Sequence, residues 1–589
     1  MSKTTKRQRY IFSIISGISI TAGLLYTGVF LPLIFLAWIP LLLAGSSFFD
    51  KNSKSEITKR ERYAFSILSG TLMSIAFPFS GSLIPIVFIA WIPLLLMEDH
   101  VLNNNYRSGK VFIHAYVTFF IFNLGSTWWV WNASLGGASL AIILNSLLMS
   151  IAFYCFHLTK KYVGKKEGYI SLPIYWIAFE YFHHNWEMSW TWLSMGNYFS
   201  IVPSWVQWYS YTGILGGTLW ILVINLMIYR IIQNVYFKKE SWRIQTPLVW
   251  ISGIFLLVPL IISLSMYYTY EEESRPLEVV VLQPNIDPYN EKFIIGGLDK
   301  QLEKLVELAE SKVTSNTGLI VAPETAISAS FFEEELTQLQ FYDYLTKEKK
   351  KLYDIPWYIG ASTMHIYKKK HSRASFPLNS GPGFIEHYNT SLLINEDNMP
   401  SFVHKSKLVP GAEIIPFSDI FPFLEDWSIQ SGGPSGSLGV EKEPMIFKTN
   451  RFNFAPVICY ESVYGEWVTE QCRKGAELIC VATNDGWWGD TPGYKQHMSF
   501  SRLRAIENRR SVVRSANTGI SCFINQRGDV LQPTDWWVPA SIRQEVNLNS
   551  EQTFYTTYGN ILGRSLGFVS VLLLLFTFVK RFTKKYIRK

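Results

Sequence analysis

The chain has 589 residues, of which 48% are hydrophobic, 16% aromatic and only 17% charged, and its formal net charge is +8. A soluble protein usually carries about 25% charged residues, so this composition predicts a membrane part joined to one or two soluble parts. It excludes a disordered chain, a small disulfide scaffold and a collagen-like fibre. The basic residues stand in short runs beside apolar stretches and form no stripe interleaved with aromatics, so we expect no nucleic-acid partner.

Ten apolar segments approach the length of about 20 residues that a helix needs to cross a bilayer. The predicted spans lie at 10–28, 29–47, 63–79, 83–97, 111–131, 137–158, 169–182, 212–233, 246–266 and 561–579. Two of them, 83–97 and 169–182, are short for a span, so eight or nine spans remain alternatives to ten.

The connections between the spans predict the orientation of the chain. The first tail (KTTKRQR), the last tail (KRFTKKYIRK) and every even-numbered connection are basic, whereas the connection at 181–213 has no Lys or Arg and five Trp. Basic cytoplasmic loops and interfacial aromatic residues are typical of membrane proteins. We therefore expect both termini in the cytoplasm and the long stretch before the last span on the outer side.

The first two predicted spans are a tandem copy of the next two. RYIFSIISG at 9–17 recurs as RYAFSILSG at 62–70, and FLAWIPLLL at 35–43 recurs at the same spacing as FIAWIPLLL at 88–96. Residues 1–61 therefore form an extra, duplicated transmembrane hairpin in front of a helical bundle at 62–270. An added hairpin crosses the membrane twice, so it leaves the orientation of the rest unchanged.

From 277 to 548 the sequence pattern changes to that of a soluble domain. Short, apolar, β-branched runs predict strands, and helical patterns lie between several of them. The predicted strands are at 277–282, 318–322, 357–362, 390–395, 452–458 and 477–483, with two more in VRSAN and ISCFIN. Strands that are apolar throughout indicate sheets covered by helices, so the sequence predicts an α/β domain. A helix is predicted at 494–512, and the last span follows at 561–579.

Polar residues follow the predicted strands at positions where α/β folds tend to place catalytic groups. Glu324 and Cys459 each come directly after a strand, and Lys405 lies in HKSKLVPGAEIIPF with Glu413 nearby. Each also has a structural explanation, since Glu favours helix N-termini and a buried free Cys is an ordinary core residue. Lys407 shares a face with Lys405 in a regular strand, so spacing alone does not choose between them.

The three residue types together indicate acyl transfer. A thiolate is a nucleophile, a carboxylate can take its proton, and an ammonium group can stabilise the oxyanion of a tetrahedral intermediate. A lone thiol in a domain facing an oxidising exterior also favours a functional role for Cys459. The sequence contains no HExxH or CxxC motif, and its five cysteines fit neither a metal site nor a disulfide framework, so we expect no metal and no cofactor.

The motifs around these residues resemble those of the nitrilase (carbon–nitrogen hydrolase) superfamily. PET at 323–325, HKxxLVPxxE at 404–413 and ICYE at 458–461 are similar to the surroundings of its Glu–Lys–Cys triad. YNTS, NDGWWGD, QH and RSANTG add to the match. Several predicted helices precede the soluble domain and one span follows it, and in this arrangement the chain resembles the apolipoprotein N-acyltransferase family. WTWLSMGNY at 190–198 and STWWVWNASLGG at 126–137 are also similar to motifs in the membrane part of that family. The match covers the chain except the duplicated hairpin, and it selects Lys405 over Lys407.

This resemblance implies a multi-span membrane bundle and an αββα sandwich, and a ping-pong reaction on the periplasmic face of a bacterial inner membrane. Cys459 would take an acyl chain from a phospholipid, typically phosphatidylethanolamine, and pass it to the amine of a diacylglyceryl-cysteine on an apolipoprotein. Glu324 would act as general base, and Lys405 would stabilise charge. Six other residues match supporting or substrate-binding positions: Glu413, Tyr460, Glu461, Asn389, Trp487 and Trp488.

The sequence also departs from the family pattern. Gly411 and Ala412 stand where the family usually has Phe-Gly, Trp488 replaces a usual Phe, and ten spans are predicted where eight are usual. These departures bear on acyl-chain preference more than on reaction type. A membrane-tethered amidase that uses water as acceptor is the alternative, because the triad alone does not distinguish the two activities.

Overall fold

The computed structural model describes residues 58–292, 294, 296–378, 381–421 and 437–587. The predicted spans at 10–28 and 29–47, and with them the first copy of the repeat, lie outside the described residues.

Every predicted span from 63–79 onward contains a helix. In chain order the helices of the membrane part are α1 (Lys59–Ala76), α2 (Ile92–Asn103), α3 (Gly109–Thr127), α4 (Leu135–Tyr162), α5 (Lys165–His183), α6 (Ile214–Ile232) and α7 (Trp242–Thr269). The chain returns to the bundle through a C-terminal helix, Ile561–Ile587, which packs against α5 and α4.

Among the described residues, six helical segments are long and apolar enough to cross a membrane. They are Ile84–Asn103, Gly109–Asn132, Leu135–Tyr162, Ile214–Phe237, Trp242–Thr269 and Ile561–Lys584. The helices α1 and α5 are similar in length but begin with the charged runs KRER and KKE. Charge is costly in the hydrocarbon core, so composition alone does not identify these two as spans.

The stretch between α5 and α6 is irregular. Short 3₁₀ turns at Thr191–Leu193, Met195–Ile201 and Pro203–Trp205 replace a regular helix. Backbone groups without helical partners need other partners away from water. Glu180 supplies one of them, because its carboxylate accepts from the Met195 backbone N–H at 2.9 Å. It also accepts from the Thr218 hydroxyl at 2.7 Å, and that hydroxyl accepts in turn from the Gly196 N–H at 3.1 Å.

The soluble domain contains two β-sheets. The strands are β1 (Pro276–Gln283), β2 (Thr317–Val321), β3 (Ile327–Phe332), β4 (Trp357–Tyr367), β5 (Phe376–Pro377), β6 (Phe384–Ile394), β7 (Pro400–His404), β8 (Phe447–Lys448), β9 (Asn453–Ile458), β10 (Leu478–Thr483), β11 (Val512–Ala516), β12 (Cys522–Ile524), β13 (Val530–Leu531) and β14 (Ala540–Asn547). The first sheet has the strand order β14-β1-β2-β4-β6-β5, with β3 on β4 and β7 on β6, and the second has the order β13-β12-β11-β10-β9-β8.

The alternation of side chains along the strands produces four layers. Val279 and Val281 of β1 join Cys480 and Ala482 of β10 in a core between the two sheets. Val280 faces the other way, toward helices α8 (Leu298–Glu310) and α9 (Gln340–Lys351). The second sheet is covered by α10 (Gly465–Arg473) and α11 (Pro492–Asn508). The expectation of an αββα sandwich is therefore confirmed.

Several element boundaries differ from the sequence prediction. The helix predicted at 494–512 ends at Asn508, because Arg509 adopts a left-handed conformation with φ of 50° and the next strand begins at Val512. The strands β4 and β6 are each longer than predicted and pair antiparallel along their whole length. The parts of β4 and β6 outside the predicted ranges mix polar and apolar residues, so they lack the apolar run from which the rest of each strand was predicted.

Candidate active site

Glu324 follows β2 on a turn that lies against strand β4. The next residue, Thr325, has φ of 47°, and the Gly360 N–H donates to the Pro323 carbonyl at 3.1 Å. A Cβ added to Gly360 would stand 2.5 Å from the Pro323 oxygen and 2.6 Å from the Glu324 Cα. Only a residue without a side chain lets the two segments approach this closely. Gly360 therefore fixes where Glu324 stands, and no motif in the sequence indicated it.

Lys405 lies between two carboxylates. Its ammonium group donates to Glu413 Oε1 at 2.8 Å and to Glu324 Oε1 at 3.2 Å. The Asn389 side-chain amide donates to the same two carboxylates, at 2.8 Å from Glu324 and 3.1 Å from Glu413. The structure thus brings together four residues that the sequence identified as site candidates.

The electrostatics of this group favour an ionised base. Burial raises the pKa of the Glu324 carboxyl, but the Lys405 charge and the Asn389 hydrogen bond outweigh it, so the pKa lies below its ordinary value. Burial lowers the pKa of Lys405, and the charges of Glu324 and Glu413 more than reverse this and raise it well above its ordinary value. At neutral pH the site therefore contains a carboxylate and an ammonium ion.

Cys459 stands directly after β9 on a strained turn. Its φ is 49°, a region that residues with side chains rarely adopt, and such strain is often found at functional sites. Burial raises the pKa of the thiol, Glu324 raises it further, and Lys405 opposes both. The resting thiol is therefore protonated and lies within the fields of a carboxylate and an ammonium group. This arrangement suits a nucleophile that loses its proton only as it attacks.

Glu461 connects the Lys405 segment to the nucleophile. One carboxylate oxygen accepts from the backbone N–H groups of Ser406 at 2.7 Å and Lys407 at 3.2 Å, and the other accepts from the Ile458 N–H at 2.9 Å. Burial raises the pKa of Glu461, and these three donors oppose the rise. The Glu461 side chain therefore positions the site indirectly, because it connects Ser406, the residue after Lys405, to Ile458, the residue before Cys459.

Lys407 is placed differently from Lys405. Its ammonium group lies over the rings of Trp467 at 4.8 Å and Tyr464 at 5.5 Å. Spacing left both lysines open as partners of the carboxylates; in the structure the ammonium group of Lys405, and not that of Lys407, bonds Glu324 and Glu413.

A second buried polar network supports the Cys459 turn from the other side. His497 Nε2 lies 3.1 Å from the Cys459 carbonyl oxygen, and His497 Nδ1 lies 2.9 Å from Asp485 Oδ1. Arg514 donates to Asp485 Oδ2 at 2.7 Å. The sequence pointed to the motifs that contain these residues but assigned them no role.

Lys292 is a buried residue that the sequence analysis missed. Its ammonium group donates to the Glu324 main-chain carbonyl at 3.0 Å, and burial lowers its pKa to about 8. It bonds the main chain of the turn at Glu324, one residue after the carbonyl that Gly360 contacts. A lysine in NEKF, after a turn-rich stretch, has no sequence feature that separates it from a surface lysine.

An apolar cleft leads from Cys459 into the membrane part. It has a volume of about 190 Å³ and is lined by one face of α4, by tryptophans before α4 and before α6, and by residues near Lys405. Those from the site itself are Cys459, Tyr460, Trp488, His497 and 409–412. The Tyr460 hydroxyl donates to the Ser189 carbonyl at 3.1 Å, so this side chain points toward the bundle.

The two tryptophans of the predicted aromatic pair have different positions. The Trp488 ring lies 4.9 Å from Trp129 and 5.6 Å from Trp192 of the membrane part, and it lines the cleft. The Trp487 ring packs against Tyr289 at 5.1 Å and does not line the cleft within the described part of the chain. Trp488 is thus brought to the site, whereas Trp487 packs on Tyr289 and contributes to the site only as part of the same loop.

Gln496 joins the soluble domain to the membrane bundle. Its amide oxygen accepts from the indole N–H groups of Trp192 at 2.8 Å and Trp129 at 3.2 Å. Its amide nitrogen donates to the Pro78 carbonyl at 2.9 Å and the Ser126 carbonyl at 3.2 Å. The next residue is His497, so α11 both anchors on the bundle and contacts the Cys459 turn.

We expect Gly360→Ala to reduce acyl-enzyme formation at least tenfold, because the new Cβ must displace the Glu324 turn. The measurement is the initial rate at equal amounts of folded protein. Gly253→Ala is the matched control, since a Cβ there meets nothing within 4 Å. A normal rate for Gly360→Ala would show that the turn can move without consequence for the site.

We expect Gln496→Ala to lower both thermal stability and acylation rate, because it leaves two buried indole N–H groups with fewer acceptors. A buried donor without a partner costs about 1–3 kcal/mol. Gln552→Ala is the control, because Gln552 is exposed. Thermal unfolding in detergent and the acylation rate check this, and an unchanged melting temperature for Gln496→Ala would contradict the anchoring role.

Comparison with known proteins agrees with both parts of the chain. Residues 69–227 match the family described as "Apolipoprotein N-acyltransferase N-terminal domain", and residues 281–554 match "Carbon-nitrogen hydrolase". The chain is 30% identical over 526 residues to the apolipoprotein N-acyltransferase of Chlorobaculum tepidum, and the aligned region covers 87% of this chain and 96% of that protein. It is 25% identical over 522 residues to that of Geobacter metallireducens, over 85% and 92% of the two chains.

A solved structure, that of Saccharomyces cerevisiae Nit3, a member of the nitrilase superfamily, aligns with 50% of this chain and 98% of its own, at 17% identity and a TM-score of 0.33.

Proposed function

The chain belongs to the apolipoprotein N-acyltransferase family, and we propose that Glu324, Lys405 and Cys459 perform its acyl transfer through a thioester on Cys459. The protein is a bacterial membrane acyltransferase with a carbon–nitrogen hydrolase domain. Its substrates are a membrane lipid and a lipoprotein, and it transfers an acyl chain from the first to the second.

The first half-reaction forms the thioester. Cys459 Sγ attacks the ester carbonyl carbon of a phospholipid while the Glu324 carboxylate takes the thiol proton. The carbonyl oxygen becomes an oxyanion, which the Lys405 ammonium stabilises. The carbon–oxygen bond then breaks, the glycerol oxygen takes the proton from Glu324, and a lysophospholipid leaves. A protonated resting thiol and an ionised Glu324 are the states that this step requires.

The second half-reaction transfers the acyl chain. The amine of the diacylglyceryl-cysteine attacks the thioester carbonyl, and Glu324 takes a proton from the nitrogen. The carbon–sulfur bond breaks, and Cys459 recovers its proton from Glu324. The same three groups serve both steps, because the tetrahedral intermediates carry their charge at the same oxygen.

The observation that carries this proposal is the position of Lys405. Its ammonium group bonds Glu324 at 3.2 Å, and its charge acts on the Cys459 thiol beside them. The apolar cleft at Cys459 supports a lipid donor, since it spares an acyl chain that leaves the bilayer the cost of exposure to water, about 0.8 kcal/mol for each CH₂.

Incubation with a phospholipid labelled in its acyl chain tests the proposal. We expect a label on the protein that hydroxylamine removes, followed by a labelled lipopeptide when the acceptor is added. Labelled free fatty acid in the presence of acceptor would support the hydrolase alternative, which the similarity to named acyltransferases does not favour. Phosphatidylethanolamine is the proposed donor, and phosphatidylglycerol is the comparison.

The proposed location of the site is the periplasmic face, with both termini in the cytoplasm, because the basic connections follow the even-numbered spans. In intact spheroplasts, we expect a membrane-impermeant thiol reagent to label a cysteine introduced at Ser315 but not one added after Lys589. The reverse pattern would mean that the number of spans before the domain has the wrong parity.

A further inference from the structure

A second cavity lies next to the apolar cleft and is called the polar cavity because charged and polar side chains stand in its wall, together with apolar ones. It has a volume of about 230 Å³, and its walls include Lys407, Arg373, Glu187 and Tyr464. Ser189 lines both this polar cavity and the cleft that contains Cys459. The two cavities therefore adjoin at Ser189, and a ligand that occupies both would pass beside this residue.

Within the described part of the chain, Lys407 is the cation of the polar cavity that forms no ion pair. Arg373 is paired with Glu187 at 2.8 Å and lies 3.6 Å from Asp419, whereas Lys407 forms no ion pair among the described residues. Its ammonium group lies over two aromatic rings, and burial lowers its pKa.

The charges of Glu461, Glu470 and Glu466 act on the pKa of Lys407, and Glu187 stands in the wall of the same cavity, paired with Arg373; none of the four forms an ion pair with Lys407. Glu461 is occupied by three backbone N–H groups, and Glu466 is paired with Arg564 at 3.0 Å. A partly desolvated ammonium without a close counter-ion is costly, and an anionic ligand at this position offsets that cost.

The polar cavity is held in a fixed position relative to the nucleophile. The Glu461 carboxylate bonds the backbone of Lys407 through one oxygen and that of Ile458, the residue before Cys459, through the other. In a phospholipid, only the glycerol backbone separates the acyl ester from the phosphate. We propose that the polar cavity binds the phosphate of the acyl-donor phospholipid, with Lys407 as its cationic contact. This proposal rests on the proposed function and assigns Lys407 to donor recognition and not to the chemical steps.

The test measures thioester formation by the full-length protein in mixed micelles, with labelled phosphatidylethanolamine at increasing mole fraction. We expect Lys407→Ala to raise the donor concentration at half-maximal rate about tenfold, which corresponds to about 1.4 kcal/mol. Lys407→Arg should remain within about twofold of the wild type. Lys442→Ala, which removes an exposed lysine of the same domain, should not change the value.

Two further measurements distinguish phosphate recognition by Lys407 from a structural role of this residue and from binding of the acceptor peptide. With a neutral acyl ester that lacks phosphate as donor, Lys407→Ala should match the wild type, and an equal loss with both donors would overturn the proposal in favour of a structural role. Transfer from preformed acyl-enzyme to a lipopeptide should also be unchanged.

A defect in that transfer alone would overturn the proposal and assign the cavity to the acceptor peptide. Unchanged donor dependence in Lys407→Ala would also overturn it. Absence of a thioester in the wild type would instead contradict the proposed function itself.

Discussion

Cys459→Ala is expected to abolish acyl-enzyme formation and transfer while the protein still folds and inserts. The substitution removes the one atom that forms the thioester, and it deletes little volume from a side chain that is 9% exposed. The measurement is the hydroxylamine-sensitive label that remains on purified protein after incubation with labelled phospholipid.

The other buried cysteines supply the matched control. Cys480 is fully buried in the core between the two sheets, so Cys480→Ala also removes one thiol. We expect this variant to form the thioester at nearly the wild-type rate, with a small loss of stability from the cavity. A thioester label that persists in Cys459→Ala, or is lost in Cys480→Ala, would mean that the nucleophile is misassigned.

The residue pattern predicted sheets covered by helices because the inner strands are apolar on both faces, whereas the four-layer order came from the family resemblance. Runs such as those of β1 and β10 have no alternation, which indicates burial between a sheet and a helix layer. It did not predict β14, because that strand mixes polar and apolar residues at the sheet edge. Edge strands are buried on fewer sides, and their sequences are correspondingly less constrained.

The proposed catalytic residues and supporting residues such as Asn389, Glu413 and Glu461 were identified through motifs, but other residues that position the site were not. Gly360 acts through the space that its missing side chain leaves, and Lys292 acts through one bond to a main-chain carbonyl. Neither has a local sequence pattern. Gln496 connects segments that are far apart in the chain, and this contact depends on how the domain docks on the bundle. Such long-range contacts are not encoded in spacing along one segment.

Lys405→Met is expected to reduce acyl-enzyme formation by about 10²–10³, the range observed when one oxyanion stabiliser is removed. It also leaves Glu324 and Glu413 facing each other with only the Asn389 amide between them. Two carboxylates this close repel, and the charge of Lys292 is then the cation that still acts on Glu324, so the pKa of Glu324 should rise from its wild-type position. We therefore expect Glu324 to be partly protonated at neutral pH and unable to accept the thiol proton.

The pH dependence of the rate of acyl-enzyme formation distinguishes protonation of Glu324 in Lys405→Met from a general loss of structure. In the wild type the pKa of Glu324 lies below its ordinary value, so its ionisation is complete near neutral pH and adds no slope there. In Lys405→Met the carboxylate form increases as pH rises through the elevated pKa, so the residual rate should increase with pH. A flat profile with a rate near the wild type would remove Lys405 from the mechanism.

The double variant Lys405→Met/Glu413→Gln separates two roles of Lys405: neutralising the two carboxylates and stabilising the oxyanion. Removing one carboxylate relieves the repulsion, so the stability lost in Lys405→Met, expected to be about 3–5 kcal/mol for a broken buried pair, should largely return. The pKa of Glu324 should fall back as well, and the slope of rate against pH should flatten. The oxyanion still lacks its ammonium partner, so the rate should stay well below that of the wild type. Recovery of stability without recovery of rate would assign Lys405 a direct role in the transition state, whereas recovery of both would mean that it serves only to neutralise the two carboxylates.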